Sequence, residues 1–326
     1  MNRNDLLRLK LMVVLALFVP ALVSCTPGAA PAVEPTPVQA ATQTPTLVVP
    51  TQVTATPTAA LTATPTTAPS SSPTPVQPSA TPTEAAPGCL NLPGVVEIHS
   101  LETTLLPDPL EFRVYLPPCY QEQAGQSYPV LYLIHGQSFT DDQWERLGAG
   151  TTADELIAAG ELPPFLIVMP RDRSWQEPTF DNFGRVIVEE LLPWVDAHYR
   201  TRAFPSYRAV GGLSRGGGWA VHLGLGYWPL FGSVGVHSGF AFQSDANSGG
   251  VRRWLSSIPP ELMPRIYMDV GDNDRPEIAQ AAAWLERLLT EYGLAHEWHM
   301  FSGYHEEEYW QAHVEDYLRW YAAPWK

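Results

Sequence analysis

Positive charge is scarce in this sequence. Its 326 residues include 19 Lys and Arg against 34 Asp and Glu, so the formal net charge at pH 7 is -15. Nucleic acids and anionic membrane surfaces are bound through clustered basic residues, so this balance argues against both kinds of partner. Net charge alone does not decide the fold or the reaction.

Recognisable metal and phosphate motifs are missing as well. The segment His305-Glu306-Glu307-Glu308-Tyr309 lacks the second His of a zinc-protease helix, and no group of Cys or His has the spacing of metal ligands. No glycine-rich loop carries the Lys that a phosphate-cradling loop needs. These absences predict an activity that uses neither a metal nor a cofactor.

Aromatic residues are absent from residues 26–88, which consist mainly of Pro, Thr, Ala, Ser and Val and carry only Glu34 and Glu84 as charges. Such a segment buries too little apolar surface to offset the entropy of ordering it. Its repeated Thr-Pro pairs favour an extended, polyproline-like stalk. The composition therefore predicts a disordered linker over residues 25–88 and one folded domain over residues 89–326.

Only three cysteines are present, and the first follows an export signal. Residues 1–24 begin with basic side chains and continue into an apolar run that is short for a membrane span. Leu22-Val23-Ser24-Cys25 resembles the cleavage box of bacterial lipoproteins. The resemblance implies a lipid on Cys25 that anchors the protein to the cell membrane outside the cytoplasm. The alternative is an ordinary secretory signal cleaved near Ala29 or Ala30.

The other two cysteines, Cys89 and Cys119, form a disulfide candidate because an extracytoplasmic compartment is oxidising. The alternative is a pair of free buried thiols. The two residues flank the first predicted strand pair, where a disulfide would hold the start of the domain in place.

From residue 95 onward, short β-branched runs alternate with longer helical patterns. This alternation predicts an α/β fold in which helices cover both faces of a mostly parallel central sheet. The predicted strands are 95–99, 111–116, 130–134, 165–169, 208–212, 233–236, 265–270 and 296–301. The predicted helices are 152–159, 183–199, 216–225, 251–256, 276–292 and 307–321.

This element order is typical of an α/β hydrolase. No predicted helix separates the first two strands, which are therefore expected to be antiparallel. The connection after Gly239 is short, which predicts an open cleft without a large helical lid.

A candidate nucleophile stands between the fifth predicted strand and the helix that follows it. Gly212-Leu213-Ser214-Arg215-Gly216 has the Gly-x-Ser-x-Gly pattern of a nucleophile elbow. A serine on so sharp a turn needs neighbours without side chains, because larger residues would collide there. The pattern and its place between strand and helix predict Ser214 as the nucleophile; the alternative is a simple glycine-rich turn.

Ser214 needs a general base, and that base needs an orienting acid. His305 follows the last predicted strand, in the position of the base in α/β hydrolases, whereas His313 is interpreted as a residue on a helix face. The acid is left open between Asp274 and Asp272, because both follow the strand 265–270. Asp269 lies within that strand and is the least suited. The carboxylate that is not the acid would cap the next helix.

The negatively charged intermediate of acyl transfer needs two fixed N–H donors. One donor is expected from the backbone of Arg215, directly after the nucleophile. The other is expected from the backbone of Gln137, in the loop after the third strand. His135 is interpreted as a buried residue that supports this loop.

Together these residues resemble the putative esterase family of the α/β-hydrolase superfamily, which includes esterase D and the feruloyl, acetyl-xylan and enterochelin esterases. The resemblance covers roughly residues 95–321. The segments that carry it are Val114-Tyr115-Leu116-Pro117-Pro118, Tyr128-Pro129-Val130-Leu131-Tyr132-Leu133-Ile134-His135-Gly136, Leu192-Pro193-Trp194-Val195-Asp196-Ala197-His198-Tyr199-Arg200-Thr201, Gly212-Leu213-Ser214-Arg215-Gly216-Gly217 and Gly303-Tyr304-His305.

The resemblance implies that Asp274 supplies the acid, through the Gly-x-x-Asp pattern that follows the penultimate strand. The sequence departs from the family at two places. Cys119 stands where the family usually has Gly, which fits a local disulfide. Arg215 replaces a Met or Gln, and its cation is expected at the cleft mouth, where it would favour an anionic substrate.

These observations predict an extracytoplasmic serine esterase that forms an acyl-Ser214 intermediate on carbohydrate-linked, phenolic or siderophore esters. Trp144, Trp175, Phe180 and Trp310 are predicted to border the cleft, the alternative being that they belong to the core. Two other functions fit the sequence. One is an acyltransferase of the same fold, and the other is a non-catalytic surface-binding lipoprotein, which the complete Ser, Asp and His set argues against.

Overall fold

The computed structural model describes residues 88–326. The predicted signal peptide, the lipid on Cys25 and nearly all of the linker lie outside the described residues, so these boundaries remain predictions.

One eight-stranded sheet organises residues 88–326, with the strand order β1-β2-β4-β3-β5-β6-β7-β8. Strand β2 pairs antiparallel with β1 and with β4, whereas all other neighbours are parallel. The predicted antiparallel start and mostly parallel sheet are therefore confirmed. The strands are β1 Val95–Leu101, β2 Leu110–Leu116, β3 Val130–Ile134, β4 Leu166–Pro170, β5 Arg208–Leu213, β6 Ser233–His237, β7 Arg265–Gly271 and β8 Glu297–Phe301.

Helices cover both faces of this sheet. They are α1 Gln143–Arg146, α2 Ala149–Ala158, α3 Phe183–Val186, α4 Leu192–His198, α5 Arg215–Gly226, α6 Gln243–Asn247, α7 Gly250–Ser257, α8 Pro276–Glu291 and α9 Glu307–Ala322. Buried side chains of α2 and α9 pack on one face, and those of α3, α4, α5, α7 and α8 pack on the other.

Strand β3 shows why the central strands read as continuous apolar runs. Val130, Tyr132 and Ile134 point into one core, and Leu131 and Leu133 point into the other. All five are buried because helices cover both faces of a parallel sheet.

Two elements depart from the predicted pattern. The predicted helix 183–199 contains a π-helical turn at Ile187–Leu191 that separates α3 from α4. Helices α1 and α6 were not predicted, because four or five residues are too few to show a helical period.

The segment between β6 and β7 carries the short helices α6 and α7 and a 3₁₀ turn at Pro260–Leu262, and α7 packs against α5. A disulfide joins Cys89 to Cys119, with the two Cα atoms 5.1 Å apart. Within residues 88–326, none of the helices has the length and hydropathy that crossing a membrane would take.

Candidate active site

Ser214 lies on a tight turn between β5 and α5. Its φ and ψ angles are 53° and -117°, a conformation that L-amino acids rarely adopt. A Cβ atom on Gly212 would collide with the backbone of Gly216, and one on Gly216 would collide with the Ile134 carbonyl group. The two glycines therefore allow the turn to form against β3.

His305 contacts Ser214 directly. Its Nε2 atom lies 2.9 Å from the Ser214 Oγ atom. On the other side of the ring, Nδ1 lies 2.8 Å from the Asp274 Oδ1 atom, and the Asp274 side chain is fully buried. This second contact has the distance of an ion pair without the angle of a hydrogen bond. The three side chains stand in the order nucleophile, base and acid.

Asp272 makes different contacts, although it is only two residues from Asp274. Its exposed carboxylate accepts hydrogen bonds from the Gly303 N–H group at 3.0 Å and from the Asn273 amide at 2.7 Å. Asp272 thus braces the loop that carries His305, whereas Asp274 contacts the imidazole.

The two predicted N–H donors belong to residues beside the nucleophile. Arg215 begins α5, so its N–H group has no acceptor within the helix. The Gly136 N–H group is already used, because it donates to the buried Gln143 side chain at 2.9 Å. Gln137, the next residue, lines the same cleft as Ser214 and His305. The assignment of the two N–H donors to Arg215 and Gln137 stays a prediction.

Helix α1 supports the loop after β3, which carries Gly136 and Gln137. The sequence did not predict this role. Gln143 accepts from Gly136 and donates to Glu307 at 3.1 Å. The Trp144 indole donates to the Ile134 carbonyl group at 3.0 Å. Trp144 is 1% exposed, so its predicted place at the cleft border was wrong. It is a core residue that supports the loop from below.

His135 also supports the loop, as predicted. Its Nδ1–H group donates to the Gly136 carbonyl at 2.7 Å, and its Nε2 atom accepts from the Asp172 N–H group at 2.9 Å. One donor and one acceptor are the capacity of a neutral imidazole. Burial lowers the pKa of His135 below its usual value, which keeps the ring in this neutral form.

The Arg215 side chain does not lie free at the cleft mouth. It is 6% exposed, and its Nε atom donates to the Asp172 carboxylate at 2.6 Å. A second guanidinium nitrogen donates to the Gln176 carbonyl group at 2.7 Å. The prediction that this cation selects anionic substrates was therefore wrong, because a buried carboxylate neutralises it.

A second buried polar network lies beneath the site. The Asp269 carboxylate contacts His237 Nδ1 at 2.7 Å and accepts from the hydroxyls of Tyr309 at 2.7 Å and Tyr317 at 2.9 Å. Burial and the Asp269 charge raise the pKa of both tyrosines, so they remain donors. The His237 carbonyl group in turn accepts from the Ser214 N–H group at 2.9 Å. The network thus connects the segments that carry Ser214, Asp274 and His305.

The cleft above Ser214 has a volume of about 600 Å³. Trp310 lines it, with its indole packed edge-on against the His305 ring at a centroid distance of 5.0 Å. Trp175, which is 67% exposed, lines an adjoining pocket. Phe180 lies on a different pocket beside Leu105 and Phe183, so its predicted place at this cleft was wrong.

Residues 88–326 contain no group of three or more His, Cys, Asp or Glu side chains arranged to hold a metal ion. The groups that contact one another at the nucleophile are the Ser214 hydroxyl, the His305 imidazole and the Asp274 carboxylate.

Comparison with known proteins connects this geometry to one family. The sequence profile of the family described as Putative esterase matches residues 103–321. An endo-1,4-β-xylanase/feruloyl esterase of Xylanibacter ruminicola is 30% identical over 203 residues, which are 57% of this chain and 27% of that protein. An esterase of Mycobacterium tuberculosis is 35% identical over 135 residues, which are 39% of this chain and 28% of that protein. The match thus spans about a quarter of these two relatives.

Solved structures show the same fold. A ferulic acid esterase superposes with a TM-score of 0.64 at 22% identity, over 72% of this chain and all of that one. A ferulic acid esterase of Anaeromyces mucronatus, in complex with ferulic acid, superposes with a TM-score of 0.58 at 18% identity, over 72% of this chain and 93% of that one. The α/β-hydrolase fold that the sequence predicts is confirmed.

Proposed function

Since the chain belongs to the putative esterase family, we propose that it is a carboxylic ester hydrolase that acts through an acyl intermediate on Ser214. The observation that carries this proposal is the 2.9 Å contact between Ser214 Oγ and His305 Nε2, with Asp274 on the other side of the imidazole.

The reaction follows from this geometry. His305 takes the hydroxyl proton as Ser214 Oγ attacks the ester carbonyl carbon. The N–H groups of Arg215 and Gln137 stabilise the negative charge that develops on the carbonyl oxygen. His305 then gives the proton to the departing alkoxide, which leaves as an alcohol. Water attacks the acyl-Ser214 ester by the same steps in reverse, which releases a carboxylic acid and frees the serine.

The proposed substrates are esters of phenolic acids, carbohydrates or siderophores. Support comes from the names of relatives and structural neighbours, several of which are feruloyl or ferulic acid esterases. The wide cleft and the exposed Trp175 ring beside it also suit flat or cyclic groups.

A fluorophosphonate tests the nucleophile. It is expected to add one covalent group to the folded protein, and peptide mass spectrometry should locate that group on Ser214. The Ser214→Ala variant should stay unlabelled, and a Ser238→Ala variant should label normally. Labelling that persists in Ser214→Ala contradicts the proposal.

A second experiment separates hydrolysis from acyl transfer. The unlabelled protein is incubated with a carboxylic ester and an added alcohol. Hydrolysis yields only the carboxylic acid, whereas acyl transfer yields a new ester.

We also propose that the protein is anchored outside the cytoplasm by a lipid on Cys25. The lipoprotein-like segment Leu22-Val23-Ser24-Cys25 and the Cys89–Cys119 disulfide support this location. In a bacterial host fed an alkyne-tagged fatty acid, the full-length protein should acquire the tag and enter the membrane fraction. The Cys25→Ser variant should lose both. If the Cys25→Ser variant carries no fatty-acid tag and still enters the membrane fraction, the lipid on Cys25 is not the anchor.

A further inference from the structure

A second pocket of about 280 Å³ adjoins the active-site cleft at the loop that carries Gln137. Gln137, Ser138 and Phe139 line both spaces, so a substrate bound at Ser214 lies next to the second pocket. The far wall of this second pocket is formed by Arg171 and Arg173, together with the exposed Trp175.

The charges around this pocket do not cancel. Arg171 and Arg173 both contact a single carboxylate, that of Glu111, with Arg173 at 2.6 Å. Arg215 is paired with Asp172. Two guanidinium groups therefore share one counter-charge, which leaves one positive charge on the pocket wall. The side chains of Arg171 and Arg173 are 30% and 41% exposed, so a ligand can reach them.

Other charged groups lie close to this wall. Asp141 and Glu145 share Arg113, and Asp108 and Asp181 line a neighbouring pocket with the two arginines, although among residues 88–326 no ion pair joins either of these two aspartates to them. His135 lines the pocket, but burial lowers its pKa and keeps it neutral. The surplus positive charge is therefore confined to the exposed guanidinium groups of Arg171 and Arg173, which are the groups of the wall that can bind an anion directly.

The position of His305 decides which half of the ester reaches the arginines. His305 must protonate the departing alkoxide, so the alcohol half lies on its side of Ser214. Three carboxylates line that side, those of Glu306, Glu307 and Glu308. With the cations Arg146 and Arg275 beside them, these five groups have a net charge of -1. The alcohol side therefore disfavours anions, and the acyl half extends toward Arg171 and Arg173.

We propose that this pocket binds a free carboxylate on the acyl half of the substrate, as in an ester of a dicarboxylic acid. The proposal rests on the esterase activity through Ser214. Arg173 is the more exposed of the two arginines, and it would donate charge-assisted hydrogen bonds to the carboxylate while Trp175 covers the chain that carries it.

Two nitrophenyl esters of equal chain length test the proposal. 4-Nitrophenyl hemiadipate carries the free carboxylate, and 4-nitrophenyl hexanoate lacks it, while the leaving group is the same. The Arg173→Met variant should lose about tenfold in kcat/KM for the hemiadipate, the effect of losing one charge-assisted hydrogen bond at a partly exposed site. Its kcat/KM for the hexanoate should not change. The matched control Arg252→Met, at an exposed arginine of α7 that pairs with Glu291 and lines neither pocket, should change neither.

Each outcome has a distinct meaning. If neither ester is hydrolysed by the wild-type protein, the esterase mechanism itself fails. If the hexanoate is hydrolysed but Arg173→Met treats both esters alike, only the carboxylate pocket is overturned. If Arg173→Met does not fold, the salt dependence of the wild-type protein tests the pocket instead. Added salt should lower kcat/KM for the hemiadipate and leave kcat/KM for the hexanoate unchanged. An equal response of the two values overturns the proposal.

A third ester checks the assignment to the acyl half. In the hexanoate ester of 4-hydroxybenzoate the carboxylate is on the leaving group. Arg173→Met should leave its turnover unchanged. A loss there equal to the loss with the hemiadipate would show that the arginines attract any anion, and it would overturn the acyl-side pocket.

Discussion

Replacing His305 with alanine should lower kcat by about 10⁶-fold while the protein stays folded, because loss of the base of a Ser-His-Asp set removes nearly all of its catalysis. Without the imidazole, the Ser214 hydroxyl has no acceptor for its proton and attacks as a weak nucleophile. The His305 Nε2 atom is placed for that transfer at 2.9 Å from the hydroxyl. Steady-state hydrolysis of 4-nitrophenyl hexanoate measures the loss.

His313 provides the matched control. It lies in α9 eight residues after His305, where its ring stacks on Phe301 at a centroid distance of 4.3 Å. A His313→Ala variant should show no loss of comparable size. Circular dichroism of both variants checks that each has the wild-type helix content. If His305→Ala keeps kcat within a hundredfold of the wild type, another group is the base.

The second large effect separates the two candidate acids. Asp274→Asn should lower kcat by about 10⁴-fold, because a neutral amide neither holds the required imidazole tautomer nor stabilises the imidazolium. Asp274 is the only one of the two carboxylates that contacts the His305 ring, at 2.8 Å.

Asp272→Asn should leave kcat within about fivefold of the wild type. The amide oxygen of the new side chain can still accept from the Gly303 N–H group, so the change weakens one exposed hydrogen bond by about 1 kcal/mol. Asp274 is buried whereas Asp272 is exposed, so thermal unfolding of both variants has to show that each is folded at the assay temperature. Equal losses in the two variants, or a larger loss in Asp272→Asn, would contradict the assignment of the acid.

Local patterns accounted for most of the fold. Strands such as β3 and β4 are runs of buried apolar residues bounded by turns, and their limits could be read along the chain to within one residue. Helix α1 could not be found in this way. Its four residues stay helical because Gln143 and Trp144 bond to the loop and strand beside them, contacts that are distant in sequence.

The aromatic residues show the same limit. Trp144 and Trp310 are equally apolar in sequence, yet one supports β3 in the core while the other packs against the catalytic imidazole. Both rings belong to the core on the same face of the sheet, and their different neighbours depend on how α1 and α9 pack. Arg215 is a similar case, since its cation is cancelled by Asp172, 43 positions earlier in the chain.

The sequence by itself determined the fold, the family and the identities of Ser214 and His305, because a nucleophile elbow and a strand-terminal histidine are local patterns. The tertiary structure placed Asp274, which the family resemblance had indicated, against the imidazole. It alone decided which aromatic rings border the cleft and which arginines are exposed. Those outcomes depend on distances of a few ångströms between segments far apart in the chain, and short-range patterns do not encode such distances.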